Sequence, residues 1–261
     1  MSYDRNVHAF VLAGRRSGGV DPLSSIGANH KGLIEICGKA MIVRVLETLN
    51  AVDVVKDITI AAPHDIRGDI ATLGGPAHDY MDAAGSPSRS IAAALDMAKG
   101  KSEILVTTCD HPLLTPAMVE EFLHSIDRRG LGAAAACVTR ENYEAAYPQT
   151  RRTFIKLKDF AFSGANLFWF SPARAKALIE FWRNLEDNRK NPALMAREIG
   201  PHIGILYAMG MLTKKRALDR IEKKTGVNGK LIALSAAEAA IDVDKPEDID
   251  LVSQILKTRS P

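Results

Sequence analysis

The first half of the chain alternates short, unbroken apolar runs with stretches of helical periodicity. Unbroken apolar runs are typical of strands that are covered on both faces of a sheet. They predict strands at Val7–Ala13, Asp57–Ala62, Ile104–Cys109 and Ala133–Val138. The periodic stretches predict helices, each with one apolar stripe, at Lys39–Leu49, Ser88–Ala98 and Pro116–Arg128. The alternation therefore predicts an α/β fold with a mainly parallel sheet and helices on both faces.

The pattern changes after Tyr143. Strands at Thr153–Leu157 and Ala165–Phe170 predict a small additional β element. The remaining elements are predicted to be helices at Pro172–Arg183, Pro192–Ile199 and Gly204–Lys224, strands at Lys230–Ala233 and Ala240–Val243, and a closing helix at Pro246–Leu256. The apolar run Ile203–Leu212 is too short to span a bilayer, which takes roughly 20 residues. We expect it to be a buried helix.

Composition narrows the class of protein. With 261 residues, 46% of them hydrophobic, the chain can bury a sizeable core, and we expect a single domain over residues 1–261. The formal charge is only +3 and the cations are scattered, which argues against a nucleic-acid binder. The three cysteines are far apart, so neither a zinc site nor a disulfide framework is indicated. The polar start of the chain has no signal segment, and we expect a cytoplasmic protein without a membrane span.

The segment after the first predicted strand is rich in glycine and cations. It contains Gly14, Arg15, Arg16, Gly18 and Gly19, and it closes on Lys31. Glycine lets backbone N–H groups approach a polyphosphate, and the cations balance its charge. The loop stays irregular for about 25 residues instead of entering a helix at once, which weakens a dinucleotide-binding oxidoreductase interpretation. The segment therefore predicts a nucleotide phosphate site.

Acidic residues occur where two elements end. Asp110 follows a buried strand and precedes the turn at Pro112, at the sheet edge where ligands bind in open parallel sheets. Asp242 and Asp244 alternate with apolar residues in a short predicted strand. One or two carboxylates plus phosphate oxygens suit Mg²⁺. The alternatives are that Asp110 caps the next helix, although Thr115 is also a capping candidate, and that the later pair is only solvent-facing.

Several segments together resemble a known family. They are VLAGR, HKGLIEICGKAMIVRVLETL, LVTTCDHPLLTPAMVEEF, FSGANLFWFSP and IDVDKPEDIDLV, in that order. The set resembles the MobA-like nucleotidyltransferases, which share the Rossmann-like glycosyltransferase-A type of α/β fold, and it spans nearly the whole chain. One departure is that Arg15 stands where the family's AGG loop has its second glycine.

The resemblance implies a role for each matching position. It implies that the triphosphate is bound by the first loop and the lysine after it, at Leu12, Ala13, Gly14, Arg15, Arg16 and Lys31. Magnesium would be held by Asp110 and Asp242, with Asp244 as the alternative to the latter. The Gly164–Asn166 turn, with Lys156 or Lys158, would face the acceptor, and Ser88 and Ser90 would lie near the base. The histidines are expected to be structural.

The implied activity is a Mg²⁺-dependent nucleotidyl transfer. A phosphorylated acceptor would attack the α-phosphorus of a nucleoside triphosphate and expel pyrophosphate, so that CMP or GMP is transferred. No general base is needed, because a phosphate monoester already carries an anionic oxygen at neutral pH. Two alternatives stay open: a nucleotide-sugar glycosyltransferase of the same fold, and a nucleotide-binding regulator without activity. A glycosyltransferase usually has a DxD pair at its metal, whereas this chain has Asp110 in a D-x-P turn together with Lys31.

Overall fold

A mostly parallel sheet forms the centre of the molecule. The computed structural model describes residues 6–15, 23, 29–98, 102–188 and 191–259. The strands in these ranges are Val7–Leu12 (β1), Glu35–Ile36 (β2), Lys39–Ala40 (β3), Val55–Ala62 (β4), Asp79–Asp82 (β5), Glu103–Thr108 (β6), Ala133–Thr139 (β7), Ile155–Lys156 (β8), Ala161–Phe170 (β9) and Gly229–Ala233 (β10). The main sheet has the order β10-β7-β9-β6-β1-β4-β5, with β8 paired to β9, and β2 and β3 form a separate pair. Only the pairs that include β9 are antiparallel within this sheet, as far as the described residues extend.

Helices cover both faces of the sheet. The α-helices in the described ranges are Met41–Asn50 (α1), Arg67–Thr72 (α2), Pro87–Ala98 (α3), Pro116–His124 (α4), Arg140–Ala146 (α5), Lys176–Asp187 (α6), Pro192–Ile199 (α7), Pro201–Ala208 (α8), Lys214–Thr225 (α9) and Pro246–Arg259 (α10). Side chains alternate across β1, so Val11 packs in the larger buried cluster with α1 and α4, and Phe10 packs in the smaller one with α3 and α6. The predicted α/β fold with helices on both faces is confirmed.

The predicted long helix Gly204–Lys224 is wrong. The chain forms α8 and α9 instead, because Gly210 takes a left-handed φ of 65° and the Thr213 hydroxyl caps α9 by accepting from the Arg216 N–H. The Ile203–Leu212 run is also not a buried helix. Ile203 and Leu212 are buried, but most of the apolar side chains between them are exposed. No helix among the described residues is long and apolar enough to cross a bilayer.

The predicted strand Ala240–Val243 is likewise wrong. A 3₁₀ turn at Ala237–Ala240 precedes an extended segment that joins no sheet. The segment crosses the carboxyl edge of the sheet, where the Val243 N–H donates to the Asp110 carbonyl at 2.9 Å. The order of the strands reverses at β1, with β4 on one side and β6 on the other. In open α/β sheets, ligands bind outside the carboxyl ends of the strands at such a reversal.

Candidate active site

Three carboxylates converge at the carboxyl edge of the sheet. Asp110 follows β6, and Asp242 and Asp244 lie on the crossing segment before α10. One carboxylate oxygen from each lies within 4.8 Å of one from the others. The structure thus brings together the acidic residues that the sequence placed at two distant positions. It does not make Asp110 a helix cap, because the Thr115 hydroxyl caps α4 by accepting from the Met118 N–H.

Lys31 lies among these carboxylates. Its ammonium group donates to Asp110 Oδ2, and Lys31 Nζ is 3.5 Å from Asp244 Oδ1. Burial opposes the charge, but the neighbouring carboxylates outweigh burial and raise the pKa of Lys31 above its ordinary value. The side chain is therefore a fixed cation in the site. It is the residue for which the sequence predicted a triphosphate contact.

A short turn positions Lys31. The 3₁₀ turn Lys31–Leu33 begins after His30, whose Nδ1 accepts from the Gly32 N–H at 3.1 Å. Gly32 packs tightly on the Asp110 loop, since a Cβ on Gly32 would lie 3.2 Å from Cys109 Sγ. Only a residue without a side chain fits this approach without a shift of its neighbours. Sequence and packing thus hold Lys31 against the end of β6.

Asp242 is held by two donors, one in the loop before β8 and one on β9. Arg152 Nη2 donates to Asp242 Oδ1 at 2.5 Å, and Asn166 Nδ2 donates to Asp242 Oδ2 at 2.9 Å. Burial alone would raise the pKa of Asp242, but the charge and hydrogen bond of Arg152, with the bond from Asn166, lower it. Asp242 therefore stays ionised. Arg152 was missed by the sequence analysis, because nothing near it in the chain marks a partner ninety positions away.

Asn166 reaches Asp242 because β9 is irregular at this point. The pairing of β7 with β9 shifts between Ala135 and Cys137, and Asn166 has a φ of 47°. Asparagine is one of the few residues that tolerate the left-handed region. The irregularity turns the amide out of the normal alternation of the strand. The Asn166 amide, which was predicted to face the acceptor, thus donates to a carboxylate of the site.

The donor set fits a hard divalent cation. Asp110 Oδ1 is buried and accepts no hydrogen bond from any described group. Thr108 Oγ1, two residues earlier at the end of β6, is likewise buried without a hydrogen-bond partner among the described residues. A buried acceptor without a partner costs free energy unless water or an ion satisfies it. Three carboxylates against the cations Lys31 and Arg152 leave one negative charge in excess. Oxygen donors with a negative excess are what Mg²⁺ prefers.

The first loop begins at this edge. Ala13 is buried and its N–H donates to the Ala61 carbonyl at 2.9 Å, while Leu12 ends β1. Gly14 is exposed, with only ordinary contact available to a Cβ there. Arg15 is turned toward Asp65, to which it donates at 2.7 Å and 3.0 Å, and this pairing lowers the pKa of Asp65. Arg16, Gly18 and Gly19 lie outside the described residues, so their predicted contacts stay predictions.

The other predicted binding residues lie further from the carboxylates. Gly164 is exposed, with open space where a Cβ would be. Lys156 is exposed on β8 opposite Ala161, which is five positions from Asn166, or roughly 16 Å along a strand. The structure therefore does not bring Lys156 to the carboxylates.

The two serines predicted near the base are engaged within the protein. The buried Ser88 donates its hydroxyl to the Glu186 carboxylate, and Ser90 Oγ accepts from the Ala84 N–H at 3.0 Å. These bonds fix the start of α3 against α6. Binding of the base by Ser88 or Ser90 stays a prediction.

Comparison of the sequence with protein-family models identifies the family of this chain. The model for the MobA-like NTP transferase domain matches residues 9–225. The chain belongs to the MobA-like NTP transferase family. The resemblance inferred from the ordered motifs is therefore confirmed, and so is the class of enzyme, a nucleotidyltransferase.

Individual relatives support the same assignment. The 3-deoxy-manno-octulosonate cytidylyltransferase of Glaesserella parasuis serovar 5 is 26% identical over 248 residues, which cover 89% of this chain and 93% of the relative. A hypothetical transferase from Thermus thermophilus superposes with a TM-score of 0.78 at 24% identity, covering 94% of this chain and 99% of the other. A CMP:2-keto-3-deoxy-manno-octonic acid synthetase complexed with CTP superposes with a TM-score of 0.61 at 16% identity, covering 97% and 99%. At these identities the two solved structures show the fold alone.

Proposed function

We propose that this enzyme transfers CMP from CTP to a small phosphorylated acceptor, with Mg²⁺, and releases pyrophosphate. The observation that supports this function is the convergence of Asp110, Asp242 and Asp244 around Lys31 at the carboxyl edge of the sheet. The choice of CTP over GTP is supported by the relative from Glaesserella parasuis, which is a cytidylyltransferase.

The reaction is a displacement at the α-phosphorus of CTP. An anionic oxygen of the acceptor phosphate forms the new P–O bond, and the bond from the α-phosphorus to the bridging oxygen breaks. Pyrophosphate leaves with that electron pair. Because the acceptor oxygen is already deprotonated, catalysis depends on in-line positioning and charge neutralisation, and not on a protein nucleophile or base.

The side chains of the site divide these tasks. Lys31 supplies a fixed positive charge to the phosphates, and the exposed Gly14 after β1 has no side chain to hinder their approach. Arg152 and Asn166 hold the Asp242 carboxylate in one orientation. Asp110, Asp242 and Asp244 would hold Mg²⁺, which would neutralise phosphate charge when bound.

Pyrophosphate release tests the proposal. The protein is incubated with Mg²⁺, one nucleoside triphosphate at a time, and a panel of sugar and alcohol phosphates. We expect pyrophosphate with CTP only when an acceptor is present. A glycosyltransferase would instead turn over a nucleotide diphosphate sugar without releasing pyrophosphate, and a regulator would bind CTP without turnover. Either result would overturn the proposal.

Asp110→Asn tests the carboxylate cluster. It keeps the shape of the side chain but removes a charge, and we expect kcat/KM to fall about a hundredfold or more. Mn²⁺ binding, measured by electron paramagnetic resonance, should weaken in parallel. The matched control is Asp250→Asn, which removes an exposed carboxylate on α10. Full turnover in Asp110→Asn with a normal circular dichroism spectrum would exclude Asp110 from the metal site.

A further inference from the structure

One part of the surface is unusually apolar. Among the described residues, four large apolar side chains that are well exposed lie within seven consecutive positions: Ile205 at 59%, Tyr207 at 48%, Met209 at 64% and Met211 at 43%. They belong to α8 and the turn that follows it. The sequence of α8, PHIGILYA, is apolar around its whole circumference, and such a helix is normally buried or in contact with lipid. Here most of its side chains face outward.

Cations lie next to these apolar side chains. The Lys158 N–H donates to the Leu212 carbonyl at 2.8 Å, and Lys214 Nζ lies 4.4 Å from the centre of the Phe160 ring, so the turn after β8 is fixed against the start of α9. We call Ile155, Lys158, residues 205–211 and residues 214–216 the apolar-basic surface. It carries four cations: Lys158, Lys214, Lys215 and Arg216. Asp159 accepts from the Lys214 N–H and Asp219 pairs with Lys215, and these two carboxylates leave an excess of two positive charges.

The whole of α9 extends this charge. The helix contains six cations and two acidic residues, and none of its residues is buried. A second copy of the chain is a poor partner for this surface, because an isologous interface would set the same cations against one another. An anionic partner with an apolar interior satisfies both parts of the surface. A bilayer of anionic lipid has these properties, since headgroups attract lysine and arginine while apolar side chains enter the acyl boundary.

We propose that the apolar-basic surface docks the enzyme on an anionic lipid bilayer as a peripheral protein. The side chains that enter the interface are Ile205, Tyr207, Met209 and Met211. The headgroups are contacted by Lys158, in the turn between β8 and β9, and by the cations of α9. The inference does not depend on which nucleotide or acceptor the enzyme uses.

Vesicle flotation with the full chain tests the proposal. Vesicles of phosphatidylcholine alone are compared with vesicles that also contain phosphatidylglycerol, at low and high salt. We expect about tenfold or greater preference for the anionic vesicles, reduced by salt. Absence of binding to the anionic vesicles would overturn the proposal.

Variants separate the two contributions. Ile205→Ser/Met209→Ser should reduce binding to anionic vesicles about tenfold, and Lys215→Glu/Arg216→Glu should remove the preference for anionic lipid. The controls are Met97→Ser, which changes another exposed apolar side chain on α3, and Lys56→Glu/Lys257→Glu, which reverses charges elsewhere. Both controls should bind as the unchanged protein does.

Two further outcomes are decisive. If the apolar variant binds vesicles normally while retaining its circular dichroism spectrum, the surface is not the docking site. If light scattering finds a dimer that the apolar variant dissociates, the surface is an interface between copies and the proposal is wrong. Vesicle binding by a protein that releases no pyrophosphate would leave this inference intact and overturn only the proposed reaction.

Discussion

Asn166 shows how one residue can serve both the backbone and the site. Its φ of 47° is tolerated by asparagine, and its amide holds a carboxylate oxygen of Asp242 at 2.9 Å. Glycine would tolerate the positive φ but has no amide to donate, and aspartate would be repelled by the Asp242 carboxylate. The residue type is therefore explained by conformation and hydrogen bonding together.

Substitutions at Asn166 separate these two requirements. Asn166→Gly removes the hydrogen bond to a charged group and makes the unfolded chain more flexible, and we expect it to lower the free energy of unfolding by about 2 kcal/mol. Asn166→Ala also places a Cβ in the left-handed region, which adds about 1 kcal/mol of strain. Urea unfolding measures the difference. Both variants should lose turnover similarly, because both remove the donor to Asp242 Oδ2. Equal stability of the two variants would show that strain at this position does not exceed the stabilisation that alanine gains over glycine through the unfolded chain.

At the scale of an element, the 3₁₀ turn at Lys31–Leu33 depends on a neutral histidine. His30 Nδ1 accepts from the Gly32 N–H, so a proton on Nδ1 would abolish this bond. Burial, the largest influence, lowers the pKa of His30. The unfolded chain then binds a proton more readily than the folded protein does. The stability that the neutral His30 contributes is therefore fully present above the unfolded histidine pKa of about 6.5, and it is lost as the pH falls below that value.

His30→Asn tests this pH dependence. An asparagine side-chain oxygen can accept from the same backbone N–H but does not titrate near neutral pH. We expect the free energy of unfolding of the unchanged protein to fall between pH 7 and pH 5, with His30 contributing up to about 1.4 kcal/mol per pH unit. The variant should show a shallower slope in chemical denaturation. An unchanged slope would mean that His30 does not titrate differently on unfolding.

The same turn also depends on the small size of Gly32. In Gly32→Ala, the new Cβ would lie 3.2 Å from Cys109 Sγ and 3.3 Å from His30 Nδ1, which forces the turn away from β6. We expect a loss of about 1–2 kcal/mol in the free energy of unfolding and a lower turnover as Lys31 moves. The control is Gly68→Ala in α2, where nothing lies within 4 Å and the helix should become slightly more stable.

Elements with strong local patterns were predictable, and those set by turns or tertiary contacts were not. The apolar runs of β1, β4, β6 and β7 appear in the structure with ends shifted by a few residues at most. The break between α8 and α9 was missed because helix-forming residues flank Gly210 on both sides. β5 was missed because Asp79–Asp82 has no apolar run and forms only by pairing with β4.

At the scale of the whole molecule, the acidic half of the site was predictable and its supports were not. Asp110 was found because it follows the carboxyl end of β6, where ligands bind in open parallel sheets, and Asp242 was found from the family motif, although the strand predicted around it does not form. The bond from Arg152 to Asp242 arises only when the loop before β8 and the crossing segment meet in the folded protein. The single domain over residues 1–261 stays a prediction.

The charges of the assembled site predict that its ligands stabilise the protein together. Without ligands, three carboxylates are balanced only in part by Lys31 and Arg152. CTP alone would bring more negative charge to the same edge, whereas Mg²⁺ with CTP balances both the carboxylates and the phosphates. Binding of the two should therefore be cooperative, since each offsets a repulsion that the other would meet.

Thermal unfolding measures this cooperation. With CTP and Mg²⁺ at about 100 times the dissociation constant, we expect about 2.7 kcal/mol of added stability, or roughly 5 °C in Tm. CTP with a chelator should give much less, and GTP, UTP and ATP with Mg²⁺ should give less than CTP. In Asp110→Asn the shift should disappear, because the cation loses a ligand whose free oxygen is buried at the site. Equal shifts with and without Mg²⁺ would show that the carboxylates bind no cation in the nucleotide complex.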